Sequence, residues 1–391
     1  MNIMDYLEMR GDLTFSERPF NEIDNLLFAG LAYLDMKDIV SDKYEFTVSL
    51  RELCQKYLEL GYDQSYLINN PKSLLRKIST CKRFRNVRVG AYYHYTSQDS
   101  QVQFACATFI LGDGTAYVGF SGTDDTLAGW REDFNISFMS STPGQDEAAA
   151  YINEIGEYTA CPLRIGGHSK GGNFAVYGAA FCDPQLRDSR IIEVYSNDGP
   201  GFNNAVAESE EYKAIIGRTL KIIPESSLVG ILLSGQVTTK VIRSTGKGIN
   251  QHNFYTWRVR RDRFAEAGGL SPTSAFIDET GKRWLDSLDD DRKEAVISAV
   301  FNSLEASGAT TLTEINARKW VYYNAILKAV ANLAPEVQGE IASSLVRLAA
   351  AGRDVLWDEA KKLFRAPKEN KEAKETADSA DAENNTPPAE A

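Results

Sequence analysis

The sequence predicts an α/β fold, with a mostly parallel central sheet covered by helices, a C-terminal helical region and a disordered tail. Three observations lead there. Short apolar runs at Leu163–Gly166, Ile191–Ser196, Leu220–Ile223, Val241–Ser244 and Phe254–Val259 are separated by stretches long enough for helices. Such alternation favours parallel strands joined by crossovers. The pentapeptide Gly167-His168-Ser169-Lys170-Gly171 lies between one of these runs and Asn173–Phe181, a helix-like stretch rich in small residues. Beyond the last helical pattern, residues 367–391 hold seven acidic side chains, three lysines and no large apolar residue, a composition that cannot support a core.

Taken in order, Asn21 is the expected N-cap of an amphipathic helix whose buried face carries Leu26, Leu27, Leu31 and Leu34. A mixed helical region follows. Val102–Leu111 and Thr115–Phe120 flank Gly112-Asp113-Gly114, the pattern of a hairpin. The five strand candidates above come next. Past Asp262, Asp289–Leu304, Thr313–Leu333 and Val337–Phe364 read as helices, with Pro335 breaking the second from the third. The expected division is therefore an α/β domain over residues 1–262, with a helical lead-in over 1–90. A helical region follows over 263–366, and then the acidic tail.

Charge and cysteine content narrow the partners. A net charge of −11 and a pI of about 5.0 argue against nucleic acid and against electrostatic docking on anionic lipid. The five cysteines, Cys54, Cys81, Cys106, Cys161 and Cys182, are odd in number and show no metal spacing, as expected of free thiols in a reducing cytoplasm. The first eight residues carry charges and no apolar secretory run. No stretch is long and apolar enough to span a bilayer. The oligomeric state is not legible.

The glycine-flanked serine carries the chemistry. Gly166, Gly167, Gly171 and Gly172 crowd Ser169, as required where a strained strand-to-helix turn lifts a hydroxyl above an α/β-hydrolase sheet. A serine hydroxyl needs a base, and histidine suits that task near neutrality. Three histidines exist. His168 lies inside the turn, and its side chain is expected to point away from the serine. His94 precedes the sheet core, in Tyr92-Tyr93-His94-Tyr95, and reads as a packed or surface strand residue. His252 lies in a loop after several strand-helix units and is the candidate base. The acid is Asp198, in Ser196-Asn197-Asp198-Gly199-Pro200, or alternatively Glu225, in Pro224-Glu225-Ser226-Ser227. Two donors must face the developing oxyanion. The backbone N–H of Lys170 is one, and Thr123, after the strand ending at Phe120, is the other.

These segments together resemble a known group. Phe120-Ser121-Gly122-Thr123, Trp130-Arg131-Glu132-Asp133-Phe134 and Gly167-His168-Ser169-Lys170-Gly171-Gly172-Asn173 follow the order seen in fungal-type (class 3) lipases. A closer resemblance is to the bacterial α/β-hydrolase family called domain of unknown function 2974 (Mbeg-like). It rests on Tyr6–Leu34, the glycine-rich turn, Asn197-Asp198-Gly199-Pro200-Gly201-Phe202, Pro224-Glu225-Ser226-Ser227-Leu228-Val229-Gly230 and Gln251-His252 with Trp257. The likeness spans residues 1–262. It implies the hydrolase fold and a triad of Ser169, Asp198 and His252, and it implies no substrate. Ser121 stands where lipases usually carry arginine, and the lipase acid follows the next strand, near Glu225.

The expectation is a cofactor-free serine hydrolase that cleaves carboxylic esters, small-molecule or lipid, through an acyl-enzyme. The alternative is a hydrolase-like binding or scaffold protein without turnover. Leu228, Val229 and Leu232 are candidates for an acyl pocket or a lid, or else are buried against the sheet. The Lys170 side chain is expected in solvent. Asp124, Asp125, Glu132 and Asp133 match no metal loop, and Asp133 is expected to cap or brace the helix near Trp130.

Overall fold

A computed structural model of the chain describes residues 1–62, 71–97, 102–124, 126–136, 138–233, 235, 237–275, 278, 290–306, 308, 328–329 and 331–339. Two helices open it, α1 (Ile3–Arg10) and α2 (Glu22–Leu31). Strand β1 (Val48–Ser49), helices α3 (Leu50–Leu60) and α4 (Pro71–Thr80), and strands β2 (Arg88–Ser97), β3 (Val102–Ile110) and β4 (Ala116–Phe120) follow. Then come α5 (Leu127–Asn135), α6 (Pro143–Tyr158), β5 (Leu163–His168), α7 (Lys170–Phe181), α8 (Pro184–Arg190) and β6 (Ile191–Asn197). The described part continues with α9 (Asn204–Ala207), α10 (Glu210–Ile216), β7 (Thr219–Pro224), β8 (Thr238–Ile242), β9 (Val259–Arg260), β10 (Arg263–Phe264) and α11 (Asp290–Ala306).

Strands β1 to β8 lie side by side in sequence order. β1 to β4 pair antiparallel, and β4 to β8 pair parallel. With its sharp strand-to-helix turn at Ser169, this is an α/β-hydrolase fold. Alternation along the strands divides two cores. Ala116, Val118 and Phe120 face one with Ile165, Phe174 and Ile152, whereas Tyr117 faces the other with Phe28, Phe109 and Trp257. Helices α6 and α7 cover the first face, and α2 covers the second.

Helix α2 begins as the sequence predicts. The Asn21 side chain accepts from the N–H groups of Ile23 and Asp24, and Asp24 returns a bond to the Asn21 N–H, a reciprocal cap. All ten of its residues are buried. Arg83 and Asp24 form a sealed ion pair at 2.6 Å. The remaining guanidinium protons of Arg83 go to the carbonyls of Leu13, Thr14, Arg18 and Pro19.

Three readings are corrected. Phe254–Val259 is not a strand; Phe254–Thr256 is a 3₁₀ turn capped by Asn253, and β9 starts only at Val259. The strand expected over Val241–Ser244 runs from Thr238 to Ile242. The lead-in expected to be helical contains a strand, β1, whereas β2 carries His94 on an exposed stretch, as a surface strand residue. The helix expected from Asp289 is observed as α11. Most of Thr313–Leu333 and Val337–Phe364, and all of residues 367–391, lie outside the described residues.

Candidate active site

The turn after β5 holds Ser169 at φ 58° and ψ −132°, a conformation costly for a residue with a Cβ. Close packing fixes it. A Cβ at Gly167 would lie 2.2 Å from the Gly171 carbonyl oxygen, and one at Gly171 would lie 2.2 Å from that of Phe120. The Ser169 N–H donates to the Asn197 carbonyl at 2.9 Å, which ties the turn to the end of β6. Asn197 in turn donates to the Gly167 carbonyl and pairs with Asn25 of α2 at 2.9 Å.

The next residue is Asp198, fully buried and also at positive φ, 49°. Its Oδ2 lies 2.7 Å from His252 Nδ1. Its Oδ1 accepts from the Ser227 hydroxyl at 2.5 Å and the Gly230 N–H at 3.1 Å. Three hydrogen bonds therefore surround a carboxylate sealed from water, the number such a group needs to remain buried. Glu225 makes no hydrogen bond with His252 among the described residues; its backbone joins β8 and Ser271.

His252 ends a 3₁₀ turn (Gly248–His252) that Gln251 fastens in place. The Gln251 side chain accepts from the Ser226 N–H and donates to the Gly246 carbonyl, while its own carbonyl accepts from the fully buried Trp257 indole. With Nδ1 directed at Asp198, Nε2 is left as the proton acceptor. The Ser169 hydroxyl makes no hydrogen bond among the described residues.

The His168 side chain makes no hydrogen bond with Ser169 among the described residues and packs against His252 instead. Its ring lies 4.5 Å from that of His252, and its Nε2 is 2.9 Å from the His252 carbonyl oxygen. Tyr33 Oη is 2.9 Å from His168 Nδ1. Full burial drives His168 well below the usual imidazole range.

Thr123 is buried, and its hydroxyl lies 2.5 Å from Asp133 Oδ2. The backbone N–H of Thr123 and that of Lys170 donate to nothing among the described residues, and the latter is the first of helix α7, where an N–H has no partner within the helix. The Lys170 side chain is not in solvent. It is completely buried, with its ammonium 3.0 Å from Glu132 Oε2 and 2.9 Å from Gln103 Oε1. Asp133 bonds Thr123 instead of serving as a cap for α5, whose N-cap is Thr126. Among the described residues, no group of three or more His, Cys, Asp or Glu is placed to hold a metal, and Asp125 lies outside them.

Leu228 and Val229 are half-buried, and Leu232 is 40% exposed. They are not sealed against the sheet. The segment borders the cluster, because Gly230 within it bonds Asp198 and the Leu232 carbonyl accepts from the Gly201 N–H. Sequence reasoning missed Tyr33, Asn25, Ser227 and Gly230. The last two sit in the quoted Pro224–Gly230 segment, whereas nothing local marks Tyr33 or Asn25.

A family model described as Mbeg1-like matches residues 78–302. No curated protein matches the chain. Among solved structures, a mutant of MDLA from Penicillium cyclopium aligns at 14% identity and a TM-score of 0.35, covering 62% of this chain and 84% of that one. The Rhizomucor miehei lipase–propeptide complex aligns at 15% identity and a TM-score of 0.32, covering 52% and 72%.

Proposed function

This chain belongs to the Mbeg1-like family, and on that footing we propose that it is a serine hydrolase of carboxylic esters. The observation that carries the reading is the Asp198–His252 pair at 2.7 Å beside a strained, glycine-packed Ser169. In this reading Ser169 Oγ attacks the ester carbonyl while His252 Nε2 takes its proton. Asp198 holds the imidazole by Nδ1 and stabilises its cationic form. The oxyanion is received by the free N–H groups of Thr123 and Lys170, the latter at the positive end of α7. His252 then returns the proton to the leaving alcohol. Water, activated by the same imidazole, releases the acid from the acyl-enzyme. The scheme calls for no cofactor.

The acyl chain is assigned to the partly exposed Leu228, Val229 and Leu232, since Gly230 among them touches the acid. The free state of all five cysteines supports a reducing compartment, and the cytoplasm is the proposed location. Among the described residues, no helix is long and apolar enough to cross a membrane.

A fluorophosphonate probe tests the reading. Labelling of the native protein that disappears in Ser169→Ala, with p-nitrophenyl ester turnover lost in parallel, is the expected result. A folded protein that neither labels nor turns over any ester in a series of rising acyl length is instead a binding or scaffold member of the family.

A further inference from the structure

Asp133 stands one hydrogen bond behind the oxyanion site and has little else to bond. Its Oδ2 lies 2.5 Å from Thr123 Oγ1. Part of the residue still meets solvent, but its Oδ1 is sealed and has no hydrogen-bond partner. The charged and titratable groups around it are Lys170 of α7, Glu132 of its own helix, His252 of the loop after β8 and Tyr33 of the loop after α2. None neutralises it by contact. The Lys170 ammonium is committed to Glu132 and Gln103, and His252 to Asp198. An ionised carboxylate with one hydrogen bond and one orphaned oxygen is poorly held. Burial accordingly pushes Asp133 up to about 6.

A threonine hydroxyl has one proton to donate. We infer that Asp133 decides the direction of its hydrogen bond with Thr123, and through it whether the Thr123 hydroxyl serves the oxyanion. The inference rests on the hydrolase reading above and adds a positioning residue to it. When ionised, Asp133 accepts only, so the Thr123 proton points at it and the oxyanion keeps backbone donors alone. Taking up a proton from solvent, Asp133 donates from Oδ2 to Thr123 Oγ1. The Thr123 O–H is then free to turn to the developing charge as a third donor.

The test is the penalty for removing the hydroxyl, measured as the ratio of kcat/KM between the native protein and Thr123→Val, at about pH 5 and about pH 8. Any pH dependence common to both proteins divides out of the ratio. The expected penalty is about tenfold or more at the lower pH, in the range of a lost oxyanion donor, and under about threefold at the higher. Placing Asp133→Asn in both proteins makes the penalty equal at the two pH values. Thr123→Ala replaces Thr123→Val where circular dichroism finds the latter unfolded. A penalty that is the same at both pH values with Asp133 intact overturns the inference. Failure of the fluorophosphonate to label the native Ser169 overturns the hydrolase reading instead, so the two outcomes separate.

Discussion

The His252 backbone carbonyl fixes the tautomer of His168, which burial holds neutral. A carbonyl oxygen only accepts, so the 2.9 Å contact puts the proton of the neutral ring on His168 Nε2, and Nδ1 is left as an acceptor facing the Tyr33 hydroxyl, which also reaches the His168 carbonyl oxygen at 3.1 Å. Tyr33, His168 and the His252 main chain thus form a one-directional series that fixes where the candidate base begins. His168→Phe leaves the His252 carbonyl without its partner and takes Nδ1 from the Tyr33 phenol, which keeps only the backbone carbonyl of residue 168 as an acceptor. The expected loss is about 1–3 kcal/mol of stability, with kcat falling about tenfold or more while KM changes little. His168→Gln retains a donor near the old Nε2 and recovers much of the rate. Steady-state kinetics with urea unfolding of the two variants measures both effects.

The same burial makes stability depend on pH. In the unfolded chain His168 takes a proton below its ordinary value of 6.5, and in the folded chain it resists doing so far below that. The unfolded state therefore binds more protons as pH falls, and stability drops with it, approaching about 1.4 kcal/mol per pH unit once the unfolded histidine is fully charged. Asp133 acts in the opposite sense between its ordinary 3.8 and about 6, since there the folded state holds the extra proton. Urea midpoints from pH 7.5 down to 5.5 test this. Below 6.5 the native protein loses stability faster than His168→Gln, and matching slopes refute the assignment.

The choice of acid is decided by parallel substitutions. Asp198→Asn breaks the only carboxylate contact that His252 makes among the described residues and is expected to lower kcat by about 10⁴. Glu225→Gln changes it by less than about threefold, a margin set by the small effect of substitutions away from the reacting groups. Ser227→Ala, which removes one of the two donors on Asp198 Oδ1, falls between them.

Lys170 and Glu132 are a sealed pair. Lys170→Met leaves Glu132 buried without its cation, at an expected cost of about 3–5 kcal/mol. Lys170→Met with Glu132→Leu restores part of that loss, because the uncompensated charge is gone. Denaturant midpoints for the single and double variants give the coupling directly.

Much of this arrangement was legible from local pattern. The runs at Leu163, Ile191 and Leu220 are short, bounded by turns and mostly buried, because both faces of the parallel sheet are covered. Glycines around Ser169 mark a turn with no room for side chains. With three histidines available, His252 emerged by elimination. What escaped depends on distant partners. Asn25 is a polar residue in an apolar helix, and its meaning lies in Asn197, 172 positions away. Lys170 looks like a surface lysine until Glu132 is brought to it across the core. Phe254–Trp257 has the aromatic composition of a strand, but the Asn253 cap and the Trp257–Gln251 bond bend it into a turn.

Glu22, at the start of α2, accepts from the Phe264 N–H at 2.6 Å and pairs with Lys240 at 2.6 Å. These links join positions separated by 242 and 218 residues. Closing loops of that size is entropically costly before any reward arrives. A chain growing on the ribosome can form its amino-terminal helices early, yet it must leave their apolar surface uncovered until the segment near Phe264 has emerged. Synthesis therefore passes through a long interval of exposed hydrophobic surface, during which aggregation and chaperone capture compete with completion of the fold.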